Sequence, residues 1–157
     1  SLVAGVVAGR FFLTQYDDLP YLTTDDGISW SRVNAPSTGF SRLEFTALAQ
    51  KPTSPSTVVA ATSNGIYRSS DGGANFAQIA ATGLQRLVLS GLEYSPAGLV
   101  FGADFAGNYY CSSDDGATWH LKATLTATIS QVKRFGGAIY LLTDGAGVYR
   151  DDAPTCP

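Results

Sequence analysis

A ten-residue pattern that occurs three times constrains the fold of this 157-residue chain more than any other feature. The pattern reads Tyr-x-Ser/Thr-x-Asp-x-Gly-x-x-aromatic, and its copies begin at Tyr21, Tyr67 and Tyr110. These tyrosines are 46 and 43 residues apart, and Tyr149 follows 39 residues later without the rest of the pattern. A repeat of this period indicates one supersecondary unit that is used several times along the chain.

Each copy of the pattern is preceded by two strand-like runs that turn residues separate. The first runs are 3–8, 43–49, 87–94 and 129–135, and the second runs are 11–15, 58–62, 99–103 and 138–142. The tyrosine segment supplies a third strand, and a short fourth strand begins at the aromatic residue, at 30–33, 76–79 and 119–122. Four antiparallel strands per repeat predict a β-propeller, in which each four-stranded sheet is one blade.

The composition agrees with an all-β chain. Only 15% of the residues are charged, with two Glu and three Lys, and the chain contains 17 Gly. This composition disfavours a helical bundle, and the 45% of hydrophobic residues excludes a disordered chain. We therefore predict an all-β fold, a β-propeller with about four blades of four antiparallel strands, divided at about 1–34, 35–80, 81–123 and 124–157.

The last blade is predicted to lack its outer strand. Residues 151–157 contain Pro154 and Pro157, which remove hydrogen-bond donors and bend the chain. The third strand of that blade then forms a sheet edge, and such edges are capped or paired with another chain. Three arrangements stay open: a small ring with one thin blade, a part of a longer propeller, or several copies that form a larger ring.

Charge and cysteine content exclude several other classes. The net charge is −3 and no basic run exists, so we predict no nucleic-acid partner. No apolar run is long enough to span a membrane. The two cysteines, Cys111 and Cys156, form neither a disulfide framework nor a zinc site, although one bridge between them stays open. We predict no cofactor and no metal.

The repeated pattern resembles the Asp-box, or BNR repeat, of sialidase-like, sortilin-like and xyloglucanase-like propellers. We expect each box to be a hairpin in which the aspartate accepts backbone N–H groups, the glycine has positive φ, and the aromatic ring packs between sheets. A cation-binding role is less favoured, because each box offers one carboxylate. The predicted structural residues of the boxes are Thr23, Asp25, Gly27, Trp30, Ser69, Asp71, Gly73, Phe76, Ser112, Asp114, Gly116 and Trp119.

The resemblance also implies where a ligand would bind. In such propellers the boxes lie opposite the ligand face, whose rim is built from the loops between second and third strands and between successive blades. Carbohydrate is the first choice of ligand there, and the alternative is that these residues only form tight turns. The candidate rim residues are Tyr16, Asp17, Asp18, Asn64, Asp104, Phe105, Asn108 and Asp144.

No catalytic residue is predicted. The Phe-Arg-Ile-Pro motif that a sialidase resemblance implies is missing, and nothing selects the carboxylate pair of a glycosidase from Asp17, Asp104 and Asp144. The sequence favours a non-catalytic interaction or structural module, either carbohydrate-binding or part of a virion or cell-surface assembly. Its expected partners are a glycan, a protein, or a second copy at the open edge of the last blade, and its expected location is extracellular, at a surface or in a virion. The alternative is a fragment or relative of a glycoside hydrolase, sialidase-like or xyloglucanase-like.

Overall fold

A computed structural model describes residues 2–14, 18–35 and 43–157 of the chain. The described residues form strands and turns, arranged as four antiparallel sheets that we call the first to fourth blades. The first blade contains β1 (Leu2–Ala4), β2 (Phe11–Leu13), β3 (Tyr21–Thr23) and β4 (Ser31–Arg32). The second contains β5 (Phe45–Gln50), β6 (Val58–Thr62), β7 (Gly65–Ser69) and β8 (Ala77–Gln78).

The third blade contains β9 (Gly91–Tyr94), β10 (Val100–Ala103), β11 (Asn108–Ser112) and β12 (His120–Thr124). The fourth has three strands, β13 (Ile129–Phe135), β14 (Ala138–Thr143) and β15 (Val148–Asp151). Strands follow each other in chain order within every sheet, as in propeller blades. The predicted all-β propeller fold, with an incomplete last blade, is confirmed.

Two first strands are shorter than the sequence indicates. β1 ends at Ala4 because Gly5 N–H donates to Arg10 O at 2.8 Å and closes the turn early. The run 87–94 is a strand only from Gly91, and Leu87 is exposed ahead of it. A Cβ on Gly91 would lie 2.5 Å from Val132 N, so only glycine permits this approach of the third and fourth blades.

Three apolar clusters hold the blades together. Each cluster joins two consecutive blades, and the three largest fully buried side chains, Tyr67, Tyr94 and Tyr110, belong to the first two clusters. Within the ranges that the structure covers, no such cluster joins the first blade to the fourth. The blades therefore form an arc with one uncovered sheet face at each end.

The C-terminal residues return from the fourth blade to the third. A disulfide joins Cys156 to Cys111 on β11, with the two Cα atoms 5.7 Å apart. Lys122 Nζ donates to Thr155 O at 2.8 Å, and Tyr109 OH donates to Asp151 Oδ2 at 3.0 Å. Cys156 thereby packs against the cluster between the third and fourth blades.

Candidate functional site

The three sequence boxes form the same hairpin turn at one end of their blades. In each box, the aspartate Oδ1 accepts the backbone N–H of the residue four positions later. The donor to acceptor distances are 2.9, 3.0 and 2.7 Å for the pairs Asp25–Ser29, Asp71–Asn75 and Asp114–Thr118. The hydroxyl two residues before each aspartate donates a hydrogen bond to Oδ1 of that aspartate. The same hydroxyl oxygen accepts the N–H of the box glycine, at 3.0, 2.9 and 3.0 Å for the pairs Thr23–Gly27, Ser69–Gly73 and Ser112–Gly116.

Hydrogen bonding lowers the pKa of the box aspartates. The Ser29 hydroxyl and backbone N–H lower the pKa of Asp25 to about 2. Burial alone would raise the pKa of Asp71, but hydrogen bonds from Asn75, Ser69 and Ala74 lower it to about 2. These carboxylates are thus occupied by their own turns, which supports a structural role for the boxes.

Each box turn has two consecutive residues with positive φ. The predicted glycines, Gly27, Gly73 and Gly116, have φ of 87°, 98° and 86°. The residue before each glycine also has positive φ, 57° at Asp26 and 56° at Asp115. Sequence reasoning missed this second position, although aspartate is among the few residues that tolerate the left-handed region.

The box aromatics differ in burial, and the expectation for Trp30 is wrong. Phe76 and Trp119 are 3% and 2% exposed, each packed in the cluster that joins its blade to the preceding one. Trp30 is 39% exposed, because in the described chain no blade precedes the first one. In the fourth blade, which lacks a box, Cys156 occupies the equivalent cluster.

At the opposite end of the blades, two candidate rim residues are buried. Asp104 Oδ1 accepts the backbone N–H groups of Ala106 and Asn108 at 2.9 and 3.1 Å. Its Oδ2 accepts Asn108 Nδ2 at 2.9 Å and Tyr110 OH at 3.1 Å. Asp104 and Asn108 thus satisfy each other below the surface, which agrees with the alternative that they form a tight turn, and their contact with a ligand stays a prediction.

The other rim candidates are scattered. Asp18 pairs with Arg32, whose hydrogen bond lowers the pKa of that carboxyl. Asn64 is half-buried and its carbonyl accepts Gln78 Nε2 at 2.7 Å, whereas Asp144 is exposed. Tyr16 and Asp17 lie outside the described residues. Of the rim candidates that the structure describes, Phe105 alone lines the cleft described next.

A cleft of about 640 Å³ opens on this rim between the second and third blades. Its lining combines the β6–β7 loop, the β8–β9 connection and the β10–β11 loop, through Ser63, Arg86, Leu87, Val88, Phe105 and Ala106. Leu87 is 59% exposed and Phe105 is 55% exposed, and Arg86 is exposed beside them. Among the described residues, the lining of the cleft is therefore apolar with one cation and no carboxylate.

Sequence reasoning missed Leu87 and Val88 as site residues. Their run, Leu-Val-Leu, has the composition of a buried strand, and the sequence therefore predicts that it is part of the first strand of the third blade. Leu89 meets that expectation with 0% exposure, but the preceding two residues turn outward. The signal in the sequence was the apolar run 87–89, together with an aromatic residue, Phe105, in the Phe-Ala-Gly turn between the next two strands.

A second cavity, of about 650 Å³, follows the inner strands of all four blades. Gln50 bridges its wall, since its Oε1 accepts Val6 N–H at 2.8 Å. Burial raises the pKa of Glu93, and Arg134 Nε lies 4.0 Å from its Oε1. Gln50 and Glu93 thus each lie against a polar group of a neighbouring blade.

Comparisons with known proteins agree on the fold. No family model and no curated protein sequence matches the chain. Among solved structures, an ancestral GH74 enzyme superposes with a TM-score of 0.71 at 17% identity, over 97% of this chain and 22% of that one. The extracellular domain of a one component system from B. thetaiotaomicron superposes with a TM-score of 0.70 at 13% identity, over 96% of this chain and 21% of that one.

A third neighbour in the fold is YCF48. YCF48 from Cyanidioschyzon merolae superposes with a TM-score of 0.61 at 13% identity, over 96% of this chain and 53% of that one. YCF48 bound to D1 peptide superposes with a TM-score of 0.51 at 13% identity, over 97% and 62% of the two chains. This chain spans less than two thirds of each of these structures. At such identities the likeness establishes the propeller fold alone.

In the residues that the structure describes, no helix is long and apolar enough to cross a membrane.

Proposed function

We propose that this chain is a non-catalytic Asp-box propeller module that binds a polypeptide segment in the cleft between its second and third blades. The observation that carries the proposal is the pair of exposed apolar side chains, Leu87 and Phe105, on either side of the cleft beside Arg86. Exposed apolar side chains that gather in a concave site mark interaction surfaces. The partner expected from this chemistry is a segment with an apolar anchor and a neighbouring carboxylate.

Polypeptide is a better fit to this lining than carbohydrate. Sugar recognition would draw on several side-chain amides and carboxylates, whereas Asp104 and Asn108 are buried in their turn. The peptide-bound YCF48 structure shares the fold, and it supports a polypeptide ligand by analogy. A glycan stays the alternative ligand, because Phe105 offers a flat face on which a sugar ring can stack.

An extracytoplasmic location belongs to the same proposal. The Cys111–Cys156 bridge persists best in an oxidising compartment. One neighbouring structure is an extracellular domain. We therefore assign the module to an extracellular, cell-surface or virion assembly.

The test is selection from a random peptide library displayed on phage, followed by calorimetry with the selected peptides. We expect Phe105→Ser and Arg86→Glu to weaken peptide binding at least tenfold. Leu121→Ser, which changes an exposed apolar residue on outer strand β12, is the matched control and should leave binding unchanged. Selected peptides that bind all variants equally, or a glycan array in which sugar binding depends on Phe105, would refute the polypeptide proposal.

A relative of glycoside hydrolases is the second candidate, because GH74 enzymes share the fold with TM-scores of 0.62 to 0.71. Hydrolysis of a glycosidic bond requires two carboxyl groups at defined separation. The described residues that line the cleft include no carboxyl group. Turnover of xyloglucan by the wild-type chain, lost in Asp144→Asn, would favour this candidate over the binding module.

A further inference from the structure

The connection that leads into the third blade contains a run of four residues, 86–89, with an unpaired backbone. The run lies between Gln85, whose N–H donates to Tyr110 OH at 3.3 Å, and Ser90, whose N–H donates to Ala103 O at 2.7 Å. Within the described part of the chain, the N–H and C=O groups of the run have no hydrogen-bond partner. The run therefore offers free backbone donors and acceptors between two fixed ends.

The turn after β10 explains why this run is unpaired. β9 pairs with β10 as far as Gly91 opposite Ala103, so a longer ladder would place the run opposite the loop that follows β10. That loop turns away, because Asp104 Oδ1 accepts the backbone N–H groups of Ala106 and Asn108. The cleft opens where the ladder stops, since residues of both arms line it.

The packing of one side chain holds the run in place. Leu89 is 0% exposed and belongs to the apolar cluster between the second and third blades. Water does not reach the backbone of Leu89, so its unpaired N–H and C=O groups cost free energy. Leu87 is 59% exposed and Val88 is half-buried, and both line the cleft. A ligand in the cleft therefore meets a backbone that has hydrogen bonds to gain.

The residue types and backbone angles of the run suit a β-strand. The sequence Leu-Val-Leu is typical of one, and all four residues have negative φ. The chain nevertheless bends at Leu87, and no described strand pairs with the run. The run thus has the sequence of a strand without the partner that a strand requires.

We infer that the polypeptide of the proposed function binds as an extended strand that exchanges main-chain hydrogen bonds with residues 86–89. This inference rests on the proposed function and adds the conformation of the ligand. An extended polypeptide presents N–H and C=O groups at the spacing of a strand, which a sugar does not. Main-chain pairing supplies affinity, while Leu87 and Phe105 contact an apolar side chain and Arg86 binds a carboxylate.

The test uses a peptide selected on the wild-type chain and synthesised with one backbone amide N-methylated at a time. Alternate N–H groups of a strand point to the same side. We therefore expect methylation at alternate residues to weaken binding about tenfold, and methylation at the residues between them to have little effect. In the same complex, NMR should show slower hydrogen exchange at the Leu87 and Val88 amides.

Val88→Pro tests the protein side, because it removes an N–H that has no partner in the described chain. We expect it to weaken binding about tenfold. Thr126→Pro is the matched control, since Thr126 is exposed in the equivalent connection into the fourth blade and its N–H makes no bond to the described residues. It should bind like the wild type. If Val88→Pro does not fold by circular dichroism, the methylation series decides alone.

Two results overturn the inference in distinguishable ways. Binding that depends on Phe105 and Arg86, but shows no alternation in the methylation series and no slower exchange at Leu87 and Val88, excludes strand pairing and leaves the proposed function standing. A selection that yields no peptide dependent on Phe105 and Arg86 refutes the proposed function and the inference together.

Discussion

Removal of the Cys111–Cys156 bridge is expected to cost this protein a large part of its stability. The bridge closes a loop of 45 residues that contains β12 and all three strands of the fourth blade. In the chain-entropy model, a loop of this length lowers the entropy of the unfolded chain by about 13 cal/mol/K, which is about 4 kcal/mol at 25 °C. For a chain of this size the loss corresponds to a decrease in Tm of roughly 8–16 °C.

The assay is denaturant unfolding of the wild type with and without reductant, beside a Cys111→Ala/Cys156→Ala variant. We expect the variant to match the reduced wild type and to be insensitive to reductant. The tail also makes contacts that survive reduction, between Lys122 and Thr155 and between Tyr109 and Asp151, so the native state is expected to stay folded. A change of less than about 1 kcal/mol would refute the reasoning, because it would mean that the loop closed by the bridge hardly constrains the unfolded chain.

Two further predictions concern the boxes. Phe76→Ala is expected to lower the free energy of unfolding by about 3–5 kcal/mol, because the Phe76 ring is buried between blades. Trp30→Ala should lower it clearly less, because Trp30 is 39% exposed. Equal losses of stability in urea unfolding would contradict the assigned packing. The lowered pKa of Asp71 means that its ionised form stabilises the folded state above its ordinary pKa of 3.8, and that this contribution is lost as the pH falls toward 2. Asp71→Asn should therefore flatten the fall in stability between pH 4 and 2, and an unchanged pH profile would exclude this role.

The blades and the box turns could be predicted from the sequence because their causes are local. A box closes through hydrogen bonds that span at most four residues, such as Asp71 Oδ1 to Asn75 N–H. A Tyr-to-aromatic spacing of nine residues and a period near one blade length then suffice to place the strands. The missing outer strand of the fourth blade followed from the prolines near the C-terminus for the same reason.

The site depended on which loop residues are buried and which are exposed, and residue type alone does not give this. Asp104 is of a residue type that is common in ligand-binding loops, but its buried carboxylate accepts hydrogen bonds from Asn108 and Tyr110. Leu87 belongs to an apolar run that is typical of a buried strand, yet it lines the cleft with Phe105. The cleft has no signal within a single repeat, because it forms where loops of the third blade meet the β6–β7 loop of the second blade.

By itself the sequence determined the repeat, the strand order within each blade and the hydrogen bonding of the boxes, all of which rest on contacts a few residues apart. Only the tertiary structure decided which equivalent residues are covered. Phe76 and Trp30 have the same local environment and differ in burial because, among the described residues, another blade packs over the first and none packs over the second. Burial is a property of the neighbouring sheet, and the sequence of one blade does not contain its neighbour.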